Sequence, residues 1–441
     1  MKRMISLVAG LVLLTSPAHG TAPCRVAIVK GIRRYDIGTP SDRELEFVRA
    51  LAKERVDRDG PLAQTCSELV SRLVSFGLLV EVYQLDGRDR FSRNPMRAPH
   101  QHGPVPGTVQ LSRFAKTTRS GDRVILSAGT GTSTFDLYDL SLLAEIFTDA
   151  VPTTGDGQVA TLARLLFESG VAVDDDMEGS SALWSAHELD FHVKSRRHRA
   201  AILGENFGSA PTRVIARAER YPALGRPIKL PTILDRSGAD QMSLSSAIRS
   251  RRSTRRYDEE HPITIEQLAT LLRAMSGGSD EVPPGTTPRR PYPSGGALYE
   301  LDLYVAVRTC VGVPPDTYLY DGETHTLRPV SAPIATPLLI ADTARAMAGE
   351  HLPQVLIVVA ARFGTLMSKY REMGYSLILK HVGVVMELGY LVAAAEQVGL
   401  CALGSGDPEL FAAVTRLDPL AVSSVGEISV GSLPADQEAT P

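Results

Sequence analysis

The sequence predicts an α+β fold, and three observations carry that expectation. The first 175 residues hold a repeat of helix-plus-strand units. From about residue 240 the pattern turns to a capped amphipathic helix followed by strands and a hairpin. The stretch Tyr375–Val398 is apolar on almost every side, which marks the central helix of a large core or of a dimer.

The repeat lies in matched positions rather than identical letters. Leu69, Leu73, Val74, Gly77, Leu78 and Val80 correspond to Leu162, Leu166, Phe167, Gly170, Val171 and Val173. Each copy is an amphipathic helix that ends at a glycine suited to a left-handed C-cap and passes directly into a strand. Another helix precedes each, Arg43–Lys53 in the first copy and Leu140–Phe147 in the second. Helix, helix, then strand is the outline of a winged-helix module, so two winged-helix-like modules are expected, at 1–95 and 96–178.

At the start of the chain two readings compete. Lys2-Arg3, the apolar run Met4–Leu14 and Ala18-His19-Gly20 imitate a secretory signal peptide. The same residues also suit a hairpin, with Ile5–Val8 and Leu11–Leu14 as strands around Ala9-Gly10. No run reaches the ~18 apolar residues of a membrane span.

Residues 179–240 read as a connector, with a bridging helix around Trp184–His198 and an extended Pro-rich passage from Pro222 to Pro231. The last domain, 241–436, opens with a short helix at about 245–249. It continues with a helix started by a Thr264-x-x-Gln267 capping box and carrying Leu268, Leu271, Leu272 and Met275 on one face. A strand at Leu301–Val307, a hairpin signalled by Tyr318-Leu319-Tyr320 before Asp321-Gly322, a buried strand at Val355–Ala360 and a final strand through Ile428–Val430 complete the pattern.

Net charge is −3, so the whole chain offers no field that gathers nucleic acid or anionic lipid. Residues 1–180 hold 21 Lys+Arg against 22 Asp+Glu, a poor phosphate-binding balance for a DNA reader. A winged helix can instead take a peptide as an added strand, and that use is preferred. The cysteines, Cys24, Cys66, Cys310 and Cys401, show no metal-ligand spacing, and no metal site is expected.

Candidate chemistry begins at Arg251-Arg252-Ser253-Thr254-Arg255, three guanidiniums and two hydroxyls in five residues. Such a cluster calls for an anion, and a phosphate-bearing cofactor suits it; a solvated basic loop is the plain alternative. Ser294-Gly295-Gly296 and Gly404-Ser405-Gly406 are loops whose glycines let backbone approach a flat ring, or are simply tight turns. Lys369-Tyr370 supplies side chains that their surroundings can tune into a base or proton relay, or is an ordinary helix turn.

Taken in order, Arg-Arg-Ser-Thr-Arg, Arg-Pro-Tyr-Pro-Ser-Gly-Gly-Ala-Leu-Tyr, Lys-Tyr-Arg-Glu-x-Gly-Tyr and Leu-Gly-Ser-Gly-Asp resemble the SagB/McbC-type dehydrogenases, the azoline oxidases of the nitroreductase-like FMN superfamily. The resemblance covers roughly 240–434, and the N-terminal modules are similar to the same family's N-terminal region with weaker motifs. It implies a nitroreductase-like FMN domain in which Arg251, Arg252, Ser253 and Arg255 hold the phosphate and polar ring edge. Ser294, Gly295 and Gly296 would cover the flavin from the partner subunit of a homodimer. Gly404 and Ser405 would face its reactive nitrogen, and Lys369 and Tyr370 would be catalytic. Two departures stand out: Lys380-His381 replaces an expected Gly-His pair, and no basic residue lies near Val430-Gly431-Ser432, which leaves phosphate binding to the arginine cluster.

The implied function is FMN-dependent dehydrogenation of thiazoline or oxazoline rings in a ribosomally made peptide, with O₂ as reoxidant. The N-terminal modules would position the azoline-containing precursor peptide or dock a partner cyclodehydratase. The family is cytoplasmic, which favours the N-terminal hairpin over the signal peptide. Competing readings are an NAD(P)H-dependent nitro or quinone reductase of the same fold, a non-catalytic peptide-docking scaffold, and a DNA-binding regulator.

Overall fold

Local sequence signals set most of the elements. Ser41 caps the first helix through a capping box with Glu44, and Thr264 does the same with Gln267. Both repeat glycines are left-handed, Gly77 at φ 68° and Gly170 at φ 69°. Each closes a Schellman pair of hydrogen bonds, Leu78 N–H to Leu73 and Gly77 N–H to Val74 in one copy, Val171 N–H to Leu166 and Gly170 N–H to Phe167 in the other.

The computed structural model describes residues 1–8, 11–16, 25–30, 33–95, 104–128, 131–148, 150–174, 183–196, 225–231, 242–278, 289–330, 335–347, 351–370 and 373–434. The chain divides into two units, Met1–Asn206 and Phe207–Pro441.

The first unit runs β1 (Lys2–Leu7), β2 (Leu11–Ser16), β3 (Arg25–Lys30), β4 (Arg33–Gly38), α1 (Asp42–Lys53), β5 (Val56–Asp57), α2 (Pro61–Thr65), α3 (Ser67–Ser75), β6 (Leu79–Leu85) and β7 (Arg88–Pro95). It continues with β8 (Thr108–Leu111), β9 (Ala115–Ser120), β10 (Arg123–Ala128), β11 (Ser133–Leu137), α4 (Ser141–Ile146), β12 (Val151–Pro152), α5 (Gln158–Glu168), β13 (Ala172–Val173) and α6 (Ala186–Arg196). Its sheets are ordered β5-β1-β6-β7-β11-β10-β9, β12-β8-β13 and β2-β3-β4.

Two expectations change here. The strands flanking Ala9-Gly10 do not form a hairpin: β1 pairs with β5 and β6, whereas β2 pairs with β3. The gain is burial, since Ile5 in β1 is fully buried among Phe47, Val48, Leu69 and Leu73. The 95/96 division also cuts a continuous sheet, because β11 pairs with β7. The turn Ala9-Gly10, Ala18-His19-Gly20 and Asp175-Asp176 lie outside the described residues.

The second unit contains β14 (Ile228–Lys229), α7 (Leu244–Ser250), α8 (Ile265–Ser276), a 3-10 turn at Gly295–Ala297, β15 (Leu301–Val307), β16 (Asp316–Asp321) and β17 (Thr326–Pro329). Then come α9 (Thr336–Ala346), β18 (Val355–Arg362), α10 (Phe363–Tyr370), α11 (Gly374–Ala395), β19 (Val398–Leu403), α12 (Pro408–Thr415) and β20 (Val422–Ser432). One antiparallel sheet, β14-β17-β16-β15-β18-β20-β19, forms its middle layer. Every residue of β15 is buried because both sheet faces are covered. Leu303, Val305 and Val307 pack with Leu268, Leu272, Ile378 and Val385 of α8 and α11; Tyr304 and Ala306 pack with Ile340 and Phe411 of α9 and α12.

The expected connector 179–240 is also revised, since Ile228–Lys229 is an edge strand on β17 and Leu230, held by its N–H to His325, is buried. Finally, α11 is long and apolar enough to cross a membrane, with mean hydropathy 1.6, contrary to the expectation that no stretch reaches that mark. Here it contacts α8, α10 and β19, and it carries a buried histidine.

Candidate functional site

The sequence-derived site residues fall into two clusters, both organised by α11. The first surrounds Tyr390. Arg251, which caps the C-terminus of α7, places its guanidinium 5.1 Å from the centre of the Tyr390 ring. Ser253 Oγ lies 2.8 Å from the Tyr390 hydroxyl, which also accepts the Ala402 N–H at 2.9 Å. Thr254 N–H donates to Leu400, so the arginine segment is stitched alongside β19. Gly404 and Ser405 follow the end of β19 and are exposed, and a Cβ on Gly404 would meet nothing within 4 Å. Among the described residues, Arg251, Arg252 and Arg255 are paired with no carboxylate. A cavity of about 30 Å³ borders Arg252, Thr254 and Tyr390, enough for a water but not for a nucleotide.

Beside Gly404-Ser405, Glu427 lies under Gly406, where a Cβ would fall 2.1 Å from the carboxyl carbon. Burial raises the Glu427 pKa, a hydrogen bond from Ser424 opposes the rise, and Asp342 adds to it.

The second cluster surrounds the glycine loop before β15. Gly296 has φ 62°, and a Cβ there would come within 2.5 Å of Lys369 Nζ and 3.3 Å of the Tyr370 hydroxyl. A Cβ on Gly295 would lie 3.1 Å from the Tyr370 ring. The bare backbone therefore lets the last turn of α10 press its amine and phenol against the loop. Lys369 Nζ sits 5.6 Å from the Tyr370 ring centre. Arg371 and Glu372, next in the motif, lie outside the described residues.

Three residues at the heart of these clusters escaped the sequence reading as functional: Tyr390, Glu300 and His381. Glu300 is fully buried, with Oε2 accepting the Ser294 hydroxyl at 2.9 Å and Oε1 2.6 Å from His381 Nδ1. Burial pushes its pKa up, but the bonds from His381 and Ser294 outweigh burial and hold it below the ordinary carboxylate value. A signal was present: a histidine in a helix apolar on nearly all sides must find a hydrogen-bonding partner.

Residues 248–431 match the nitroreductase family. The second unit has a nitroreductase-like fold. The matched family is one of oxidoreductases, and FMN is its cofactor. A Methanocaldococcus jannaschii protein named as a nitroreductase is 28% identical over 179 residues, 40% of this chain and 83% of the relative. Among solved structures, a Ralstonia eutropha JMP134 protein also named as a nitroreductase is 23% identical, covering 49% of this chain and 95% of its own, with TM-score 0.39. An Escherichia coli microcin synthetase McbBCD complex with truncated pro-MccB17 bound is 23% identical, covering 59% of this chain and 100% of the matched chain, with TM-score 0.38. The residues of the nitroreductase-like unit fit FMN: three guanidiniums without a carboxylate partner among the described residues suit its phosphate, and open Gly404 leaves room for a flat ring.

Proposed function

We propose that this protein is an FMN-dependent oxidoreductase that dehydrogenates thiazoline or oxazoline rings in a ribosomally synthesised, modified peptide to thiazole or oxazole. The observation that carries the reading is the amine and phenol of Lys369 and Tyr370 pressed against the bare Gly295-Gly296 backbone. Azoline oxidation removes one proton and one hydride. Bound FMN supplies the hydride acceptor. Lys369 Nζ or Tyr370 Oη then receives the proton, and the glycine loop leaves room for a flat heterocycle beside them. Arg251, Arg252 and Arg255 hold the phosphate, and Ser253 offers a hydroxyl to the ring edge.

A homodimer completes the site in this reading. His381 and Tyr390 are nine residues apart on α11, two and a half turns, so they point to opposite sides of the helix and lie about 14 Å apart along it. The arginine cluster of one chain then needs the glycine loop of a second copy. Exposed Leu244 and Ile248 on α7, with Tyr375 and Leu379 on α11, suit such a contact. The first unit is assigned to precursor-peptide or cyclodehydratase docking, for which β9, at the edge of its sheet among the described residues, offers backbone for an added strand. A cytoplasmic location accompanies this reading.

The test is direct. Purified protein should be yellow and should lower the mass of an azoline peptide by that of two hydrogens. Arg251→Ala should lose FMN, whereas Lys369→Ala should keep FMN and lose turnover. Colourless protein that cannot be reconstituted with FMN overturns the proposal, and rapid bleaching by NAD(P)H without azoline turnover replaces it with a nitro or quinone reductase.

A further inference from the structure

Glu300 and His381 meet across 81 positions of sequence, from the residue just before β15 and the first half of α11, and between them they grip the glycine loop. Gly295 N–H donates to His381 Nε2 at 3.2 Å. An amide N–H cannot accept, so Nε2 carries a lone pair and the proton sits on Nδ1, facing Glu300. The pair is therefore a neutral imidazole against an ionised, fully buried carboxylate. On its other oxygen Glu300 takes the Ser294 hydroxyl, and Ser294 Oγ in turn accepts the Tyr299 N–H at 3.0 Å. Two consecutive loop residues, one by hydroxyl and one by amide, are thus tied to a single buried pair. The next residue, Gly296, is the one lying against Lys369 and Tyr370.

We propose that Glu300 and His381 are positioning residues: they hold Ser294-Gly295-Gly296 in the one conformation that seats the Lys369 amine beside Tyr370. They do not form a relay, because both routes end at backbone amides, Gly295 N–H on His381 and Tyr299 N–H on the Ser294 hydroxyl, which do not pass a proton onward. The inference rests on Lys369 and Tyr370 as the working pair proposed above, but its test does not depend on azoline turnover.

The probe is amine acylation of the flavin-free, full-length protein, with labelling of Lys369 followed by peptide mass spectrometry relative to exposed Lys53. Glu300→Gln keeps the shape and removes the charge; His381→Ala removes both bonds. Each should raise Lys369 labelling about tenfold while leaving a cooperative melt, as expected when a buried hydrogen bond is lost and the loop opens. His381→Gln, whose amide oxygen can still accept the Gly295 N–H, should return part of the protection. In flavin-loaded enzyme the same variants should lower kcat more than they raise KM. Unchanged Lys369 labelling in Glu300→Gln overturns the inference, and that variant alone decides it if His381→Ala does not fold. A wild type without azoline turnover but with this labelling pattern would sink the proposed function and leave the positioning role standing.

Discussion

Replacing Gly296 by alanine tests the site where backbone geometry and chemistry coincide. At φ 62° an L-residue costs about 1–2 kcal/mol relative to glycine. The new methyl would stand 2.5 Å from Lys369 Nζ, so the amine must retreat by roughly 1 Å to reach ordinary contact. Because the obstacle is the end of a flexible side chain, the retreat adds little to the folding cost. The melting temperature should fall by about 2–8 °C, from 2–4 °C per kcal/mol for a unit of this size. Turnover should fall much further, about 100-fold, because a displacement of about 1 Å at a reacting group costs on that order. Calorimetry and single-turnover conversion of an azoline peptide measure the two separately. A Gly296→Ala protein that melts lower but turns over at the wild-type rate would refute the placement of Lys369 in the chemistry.

Tyr390→Phe keeps the ring under Arg251 but leaves the Ala402 N–H without its acceptor; FMN affinity measured by fluorescence titration should weaken about tenfold, with a smaller loss in stability. Thr264→Ala removes the capping box of α8 and should cost about 1 kcal/mol in chemical denaturation. Glu300 and Glu427 should respond to pH in opposite senses in thermal melts. Glu300 has a depressed folded pKa, so its contribution is present above 4.5 and lost as pH falls through the folded value; Glu300→Gln should be least stable relative to wild type at neutral pH and converge with it in acid. The folded pKa of Glu427 is raised, so stability is full below 4.5 and lost as pH rises through the folded value; Glu427→Gln should be more stable than wild type at neutral pH, with the gain vanishing in acid.

What the sequence made legible was local. The Thr264 box, the left-handed C-cap glycines Gly77 and Gly170 and the strand Leu301–Val307 each depend on residues a few positions apart, and each formed as expected. Pairing was harder, since β1 and β2 are similar short apolar runs and only the burial of Ile5 under α1 and α3 decides that they part company. The motif order named most of the residues that the two clusters bring together. It could not reveal that Glu300 and His381 join, because that contact exists only once β15 and α11 are packed. Ile228–Lys229 was hidden for another reason: two residues in a Pro-rich passage carry no periodicity, and the edge of β17 supplies their partner.

The placement of His381 and Tyr390 on α11 makes that helix a phase-keeping element. Inserting or deleting a single residue between them would swing one cluster about 100° around the axis relative to the other. Either the glycine loop would lose its imidazole or the arginine segment would lose its aromatic floor. Outside the buried positions Val382, Val385 and Gly389, the stretch 382–389 should therefore accept many changes of side chain, yet almost none of length, a constraint that side-chain chemistry alone would not disclose.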